Sequence, residues 1–453
     1  MKKRPAWQRK LQLSPTQTIA CVFVGLIFLG GVLLTLPISS RNGESCDFLS
    51  ALFTATSATC VTGLVMFDTW TQWSGFGQAV ILLLIEIGGL GFMSVASTVV
   101  FLLRRRVGLR QRMVMAQALS VSDMEGIVKL QKIAIVGSVL VQLTGALVLT
   151  LHFWPEYGLL RAVRWGIFHG VSAFCNAGFD IFGCLNMGNS LMGFQSDPVL
   201  LLTLGTLVAV GGLGFFVWEE VVRLHSWKKF SVYTKLVLLM TLILIFGGAA
   251  GFCLLEWDNP NTLGVLSWQD KILGGLFQSL TVRTAGFDAI GQGSLTDSGK
   301  ALTMVLMLIG GCSGSTAGGL KTVTLVVLLL FLWSRIRSRE TVCVFKRTIP
   351  HTQVLDAMTI AMIMMGLAFF GGMFLSATSP VSFIDGLYES VSALATVGLT
   401  TGITTSLSVA SKILMIVYMY FGRVGVLTLS IGFLMGNRAK ERYQYAQTNL
   451  LIG

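Results

Sequence analysis

Ser392-Ala393-Leu394-Ala395-Thr396-Val397-Gly398-Leu399, near the end of the chain, has three counterparts upstream. They are Ser57-Ala58-Thr59-Cys60-Val61-Thr62-Gly63-Leu64, Ser172-Ala173-Phe174-Cys175-Asn176-Ala177-Gly178-Phe179 and Thr281-Val282-Arg283-Thr284-Ala285-Gly286-Phe287. The shared glycines, Gly63, Gly178, Gly286 and Gly398, stand 115, 108 and 112 residues apart. An aromatic residue lies ten positions before the glycine in three copies (Phe53, Phe168, Tyr388) and nine before it in the third (Phe277). So even a period, held through four copies, marks one structural unit used four times.

Each motif sits between two apolar runs. Those before it cover residues 16–37, 133–154, 235–255 and 355–377, and those after it 77–103, 198–222, 300–333 and 409–436. Runs of this length can cross about 30 Å of hydrocarbon. The stretch between them, such as Asp47 to Thr59 or Asp385 to Ala395, allows a helix of only about 20 Å, so it must dip in and return. The unit is therefore span, half-crossing helix, extended loop, span. A second motif marks the later span of each unit: Gly88-Gly89-Leu90-Gly91-Phe92, Gly211-Gly212-Leu213-Gly214-Phe215, Gly310-Gly311-Cys312-Ser313-Gly314 and Gly422-Arg423-Val424-Gly425-Val426. Its small residues suit close helix packing in lipid. The expected fold is all-α and integral to the membrane, with eight transmembrane helices and four half-helices around a central pore. The repeats fall at 1–104, 105–229, 230–347 and 348–453.

Composition agrees with a lipid environment. Hydrophobic residues make up 53% of the chain and charged residues 12%, with a mean hydropathy of +0.75; soluble domains carry about 25% charged residues. The net charge of +12 does not signal nucleic-acid binding. Of 33 Lys and Arg, 24 fall in five short segments between apolar runs, and the alternate segments lean acidic. The positive-inside rule then puts both termini in the cytoplasm and the protein in the cytoplasmic membrane as a multi-pass chain. The run from Thr16 to Leu36 is too long for a signal-peptide core and reads as an uncleaved first span. The eight cysteines include no CxxC pair. Cys46 and Cys184 both fall on the expected outer face, where one bridge is conceivable.

An extended loop after a half-helix presents successive backbone carbonyls, and four copies around an axis make stacked rings of oxygens that replace an ion's hydration shell. Glycine suits such a loop because it accepts φ > 0 and lets backbone approach the ion. The half-helices point the negative ends of their dipoles at the centre. Both features favour a cation.

Two features suggest control. Gly310-Gly311-Cys312-Ser313-Gly314-Ser315-Thr316-Ala317-Gly318-Gly319-Leu320-Lys321 is too rich in glycine and hydroxyl residues to hold a helix well. It is expected to form a mobile barrier inside the membrane; the alternative is a kink in a long helix. Arg423 is a lone cation in an apolar run, a functional residue by default. It can limit leak or hold the loop near Ser313 and Ser315; alternatively it snorkels or pairs with Glu86. Lys321 can simply reach the inner interface.

On these motifs the whole chain resembles the Ktr/Trk superfamily of potassium transporters, specifically the KtrB-like, pore-forming membrane subunit. The resemblance rests most on Val61-Thr62-Gly63-Leu64, Asn176-Ala177-Gly178-Phe179, Arg283-Thr284-Ala285-Gly286-Phe287, Thr396-Val397-Gly398-Leu399 and Gly422-Arg423-Val424-Gly425. It implies potassium uptake through a selectivity filter formed by Thr59, Cys60, Val61, Thr62 and Gly63; Cys175, Asn176, Ala177 and Gly178; Arg283, Thr284, Ala285 and Gly286; and Ala395, Thr396, Val397 and Gly398. It implies a gate formed by residues 310–319, Lys321 and Arg423. Cys60 and Cys175 depart from the hydroxyl or amide residues expected there, which leaves carbonyl roles intact. The resemblance further implies a homodimer, a cytosolic nucleotide-binding ring of the RCK type (KtrA-like) carrying ATP or ADP, and sodium as an activator. No covalent cofactor is expected. The rival is an ion-coupled carrier of another small solute, which predicts inverted halves and intramembrane acids; here Glu86 is nearly the only acid in a span. An enzyme would need clustered catalytic groups, whereas His152, His169, His225 and His351 are scattered.

Overall fold

The computed structural model describes residues 14–91, 97, 108, 112–115, 126–185 and 190–425. The basic clusters at both termini, Arg104 to Arg106, and the ends of the runs 77–103 and 409–436 lie outside the described residues.

The first spans are continuous helices: α1 (Pro15–Thr35), α4 (Ile127–Tyr157), α8 (Val232–Glu256) and α12 (His351–Thr378). All four are long and apolar enough to cross a membrane. After each comes a shorter helix: α2 (Phe48–Cys60), α5 (Leu159–Cys175), α9 (Trp268–Thr281) and α13 (Phe383–Leu394). Three of these start on a side-chain cap that satisfies an otherwise orphaned N–H: Asp47 accepts from Ser50 N, Ser267 from Asp270 N and Ser382 from Asp385 N. The second has no such cap. The chain passes from α4 into α5 through Gly158 alone, at φ +78°, and α5 runs for 17 residues, longer than the other three. That glycine permits a turn no capped loop would make.

The later spans leave the helix at the second motif, which was expected only in the third unit. They begin well, each on a cap: Ser74 for α3 (Gly75–Leu90), Asp197 for α6 (Pro198–Gly212), Thr296 for α10 (Asp297–Leu308) and Ser408 for α14 (Val409–Val424). They then leave the helix near the last glycine of the second motif, and Gly91, Gly214, Gly314 and Gly425 all have positive φ, between +67° and +93°. At Gly214 the chain bends by 94° into α7 (Phe215–Leu224). After Gly314 it stays irregular until α11 (Thr322–Ile336). The expected break in the third unit is present, and a second break in the second unit went unforeseen.

The paired glycines serve packing. A methyl group on Gly88 would overlap the Thr59 carbonyl, one on Gly211 the Phe174 carbonyl, and one on Gly422 the Leu394 carbonyl. Each later helix is thereby seated against the end of its own half-helix, where only glycine fits. The third unit differs: Gly310 meets Gly318 of its own loop instead. The half-helices occupy the interior, and Phe53, Phe168, Phe277 and Tyr388 are all buried. Large apolar side chains on the first spans, such as Met362 and Phe370, are exposed, as in a bundle facing lipid. Cys46 and Cys184, the pair considered for a bridge, are both free thiols.

Candidate functional site

The four motifs adopt one backbone conformation. Val61, Asn176, Thr284 and Thr396 all have left-handed φ, between +53° and +73°, a region that non-glycine residues rarely enter. Two residues later Gly63, Gly178, Gly286 and Gly398 have φ of +101°, +69°, +83° and +93°. Strain repeated at four equivalent positions points to function rather than accident.

Hydroxyl groups hold this conformation. Ser57 Oγ accepts from Gly63 N at 3.0 Å and Ser392 Oγ from Gly398 N at 3.1 Å. Ser172 Oγ donates to Phe179 O and Thr281 Oγ1 to Phe287 O, both at 2.7 Å. These four residues open the motifs, yet they were assigned no role from the sequence. Their signal was a hydroxyl at the same place in every copy.

The glycines close a ring in chain order. A methyl on Gly63 would lie 2.7 Å from Ala177 O and 3.3 Å from the Cα atoms of Gly178 and Gly398. One on Gly178 would lie 2.7 Å from Ala285 O and 2.9 Å from Gly286 Cα. One on Gly286 would overlap Val397 O, and one on Gly398 would overlap Thr62 O. Each glycine therefore abuts the carbonyl preceding the next glycine. The hydroxyls of Thr59, Thr62 and Thr396 are buried with no hydrogen-bond partner among the described residues.

The side chains three residues before each glycine do not join the ring in the second and third motifs. Cys175 packs on Gly89, with its Sγ 3.4 Å from Glu86 Oε2. Arg283 reaches back to Thr322. Asn176 and Thr284 bring the second and third motifs together, their side chains 3.3 Å apart. On one side of the ring lies a vestibule of about 390 Å³ lined by all four glycines and by Asp68, Asp180, Asp288 and Thr400. Three acids around one mouth attract cations. Burial, followed by the charge of Asp68, raises the Asp180 carboxyl to about 6.

Residues 310–321 form a closed loop. Gly310 N donates to Leu320 O at 2.9 Å, Leu320 N to Leu308 O at 3.1 Å and Thr322 N to Gly311 O at 3.1 Å, so its ends are tied together. The body of the loop touches the other units. Cys312 N donates to Gly212 O, Phe215 N to Gly314 O and Thr316 Oγ1 to Phe174 O. A methyl on Gly318 would meet Thr396 and Ala395. Arg423 donates to Thr316 O in the loop, and to Gly88 O and Gly89 O at the end of α3. The expected tie to Ser313 and Ser315 is thus made to Thr316. Glu86 is not the partner of Arg423: it accepts from Gln142 Nε2 at 2.9 Å. Lys321 turns back onto Ala317 O at 2.8 Å instead of reaching an interface.

Short helices that deliver four glycines to the interior of an apolar helical bundle are the architecture of an integral membrane protein, and comparison with known proteins gives its class as cation transport. The chain belongs to the TrkH family, described as cation transport proteins, whose model matches residues 9–441. It is 40% identical to the potassium/sodium uptake protein NtpJ of Enterococcus hirae, over 100% of this chain and 99% of that protein. It is 38% identical to the Ktr system potassium uptake protein B of Bacillus subtilis, over 96% of each chain. The fold is that of the potassium transporter TrkH from Vibrio parahaemolyticus, with a TM-score of 0.71 over 95% of this chain and 87% of that one at 18% identity. These relatives are named for ion uptake and not for enzymatic activity.

Proposed function

We propose that this protein takes up potassium through a single-chain pore of four repeats, 1–104, 105–229, 230–347 and 348–453, whose filter is the ring around Gly63, Gly178, Gly286 and Gly398. The observation that carries this reading is the fourfold backbone conformation, with each glycine packed on the next motif's carbonyl. The potassium uptake named for the relatives agrees with it.

A cation leaving water is drawn first to the vestibule of Asp68, Asp180 and Asp288. It sheds water as carbonyls of the four loops take its place. The ends of α2, α5, α9 and α13 stabilise the charge without a carboxylate in the ring. Beneath the ring, the loop 310–321 blocks the path while Arg423 holds Thr316. Opening requires the loop to move as a body about its tied ends.

The same reading places both termini in the cytoplasm, pairs the chain as a homodimer in the cytoplasmic membrane and puts ATP or ADP on a separate cytosolic RCK-type ring. Sodium is an activator in this scheme.

Rubidium and sodium flux in proteoliposomes tests the proposal. Gly63→Asp and Gly286→Asp should each weaken potassium-over-sodium discrimination, and deletion of Gly311 to Gly318 should raise flux. Unaltered discrimination in both glycine variants removes the filter assignment. Unaltered or lower flux after the deletion, with normal membrane insertion, removes the gate.

A further inference from the structure

Arg283 stands three residues before Gly286, where the other motifs carry Cys60, Cys175 and Ala395. The residue is only 8% exposed, and its Nη2 lies 3.5 Å from Thr322 Oγ1. Thr322 is the residue that fastens the neck of the loop: its N–H donates to Gly311 O and its hydroxyl to Gly310 O, both at 3.1 Å. The third motif therefore touches the loop's anchor through one side chain that the other motifs lack.

That side chain is poorly compensated. A guanidinium stays charged in any protein. Among the described residues no carboxylate forms an ion pair with Arg283, and its Nε has no partner. Beside it lies a cavity of about 10 Å³ lined by Arg283, Gly311, Gly212 and Thr241, whose hydroxyl also faces the Cys312 thiol. The volume and the two polar groups suit one bridging water. A buried cation held only by neutral groups is costly, and its compensation depends on where the loop neck sits.

We infer that Arg283 is a latch: a positioning residue outside the conduction path through which the third filter loop holds the neck of the 310–321 loop in its blocking position. This rests on the gate proposed above. Interactions present in the blocked state and lost on opening favour the blocked state by their own free energy. Removing the latch should therefore raise flux and leave ion discrimination to the ring.

The test is rubidium and sodium flux for Arg283→Met, Thr322→Val and the double variant, each with and without deletion of Gly311 to Gly318. Arg283→Met keeps the apolar stem, and Thr322→Val probes the same link from the other side should the first variant fail to assemble. Each single variant should raise flux about threefold to tenfold, the range of one ordinary hydrogen bond, as suits a contact of 3.5 Å. The double variant should add nothing beyond Thr322→Val, which also removes the hydroxyl's bond to Gly310 O; neither single should act in the deleted background, and the rubidium/sodium ratio should stay within about twofold in all of them. The latch is overturned by unchanged or reduced flux in both singles, by an effect that survives the deletion, or by a collapse of discrimination. If the deletion itself fails to raise flux, the gate falls; if the deletion raises flux and the two singles do not, only the latch falls.

Discussion

Arg423 Nη2 donates to Gly89 O at 2.8 Å while Nη1 of the same guanidinium donates to Thr316 O. One cation thus joins the end of α3 in the first unit to the loop of the third. Among the described residues only backbone carbonyls accept from it, so its orientation depends on both elements staying in place. A planar fork with several donors is suited to such a junction in a way that a lysine is not. Arg423→Gln should raise potassium flux by about tenfold, on the scale of one charge-assisted hydrogen bond. Proteoliposome flux normalised to inserted protein checks it; wild-type flux in a correctly inserted variant would contradict the tie.

Gly286 shows why the ring tolerates no side chain. Its φ is +83°, and a methyl would overlap Val397 O and lie 3.2 Å from Gly178 Cα. The left-handed backbone costs an alanine about 1 kcal/mol, and the overlap must be relieved by moving the fourth loop. Gly286→Ala should lower potassium/sodium discrimination at least about tenfold, as carbonyl spacing in two motifs shifts. Competition of sodium with rubidium uptake measures this directly.

Much of this arrangement was legible in the sequence because it depends on period and length. The first spans are found within a few residues of the expected 16–37, 235–255 and 355–377, since long apolar helices are set by hydrocarbon thickness. The ring glycines follow from repetition. The break at Gly214 was hidden because Gly211-Gly212-Leu213-Gly214 is as apolar as a continuous span, and hydropathy does not record a change of direction. The partners of Arg423 were legible in part: the loop near Ser313 and Ser315 was expected, and the contact falls on Thr316 O. Its other acceptors, Gly88 O and Gly89 O, are carbonyls left free where a helix ends, which carry no sequence signature, and Glu86, the alternative, is not among them.

Glu256 is a structural post on the vestibule side. It is fully buried and accepts from Thr296 N at 3.0 Å, Thr296 Oγ1 at 2.6 Å, Asn259 Nδ2 at 2.7 Å and Thr262 Oγ1 at 2.9 Å. It joins the end of α8 to the cap of α10. Glu256→Gln sets an amide donor among donors and should cost about 2–4 kcal/mol. The apparent Tm in detergent should fall, while flux per folded molecule stays within about twofold.

Asp180 links pH to uptake. It follows Phe179 in the vestibule, where burial and then the charge of Asp68 raise its carboxyl from 3.8 to about 6, against the lowering effect of hydrogen bonds from Phe182 N and Ser190. The group is a carboxylate at pH 7.5 and loses its charge as pH falls through 6. The vestibule then carries one negative charge fewer, and local cation concentration drops. The apparent KM for potassium should rise about twofold to threefold between pH 7.5 and 5.5 with little change in maximal rate. Asp180→Asn should show the raised KM already at pH 7.5 and a flatter pH profile. Stability has the opposite sign. Because the folded pKa lies above the unfolded one, the native state binds this proton more tightly, and acidification towards pH 5 stabilises the fold through Asp180. A KM that rises while Tm holds or increases separates loss of vestibule charge from acid unfolding; a KM that stays flat across this range contradicts the role of Asp180.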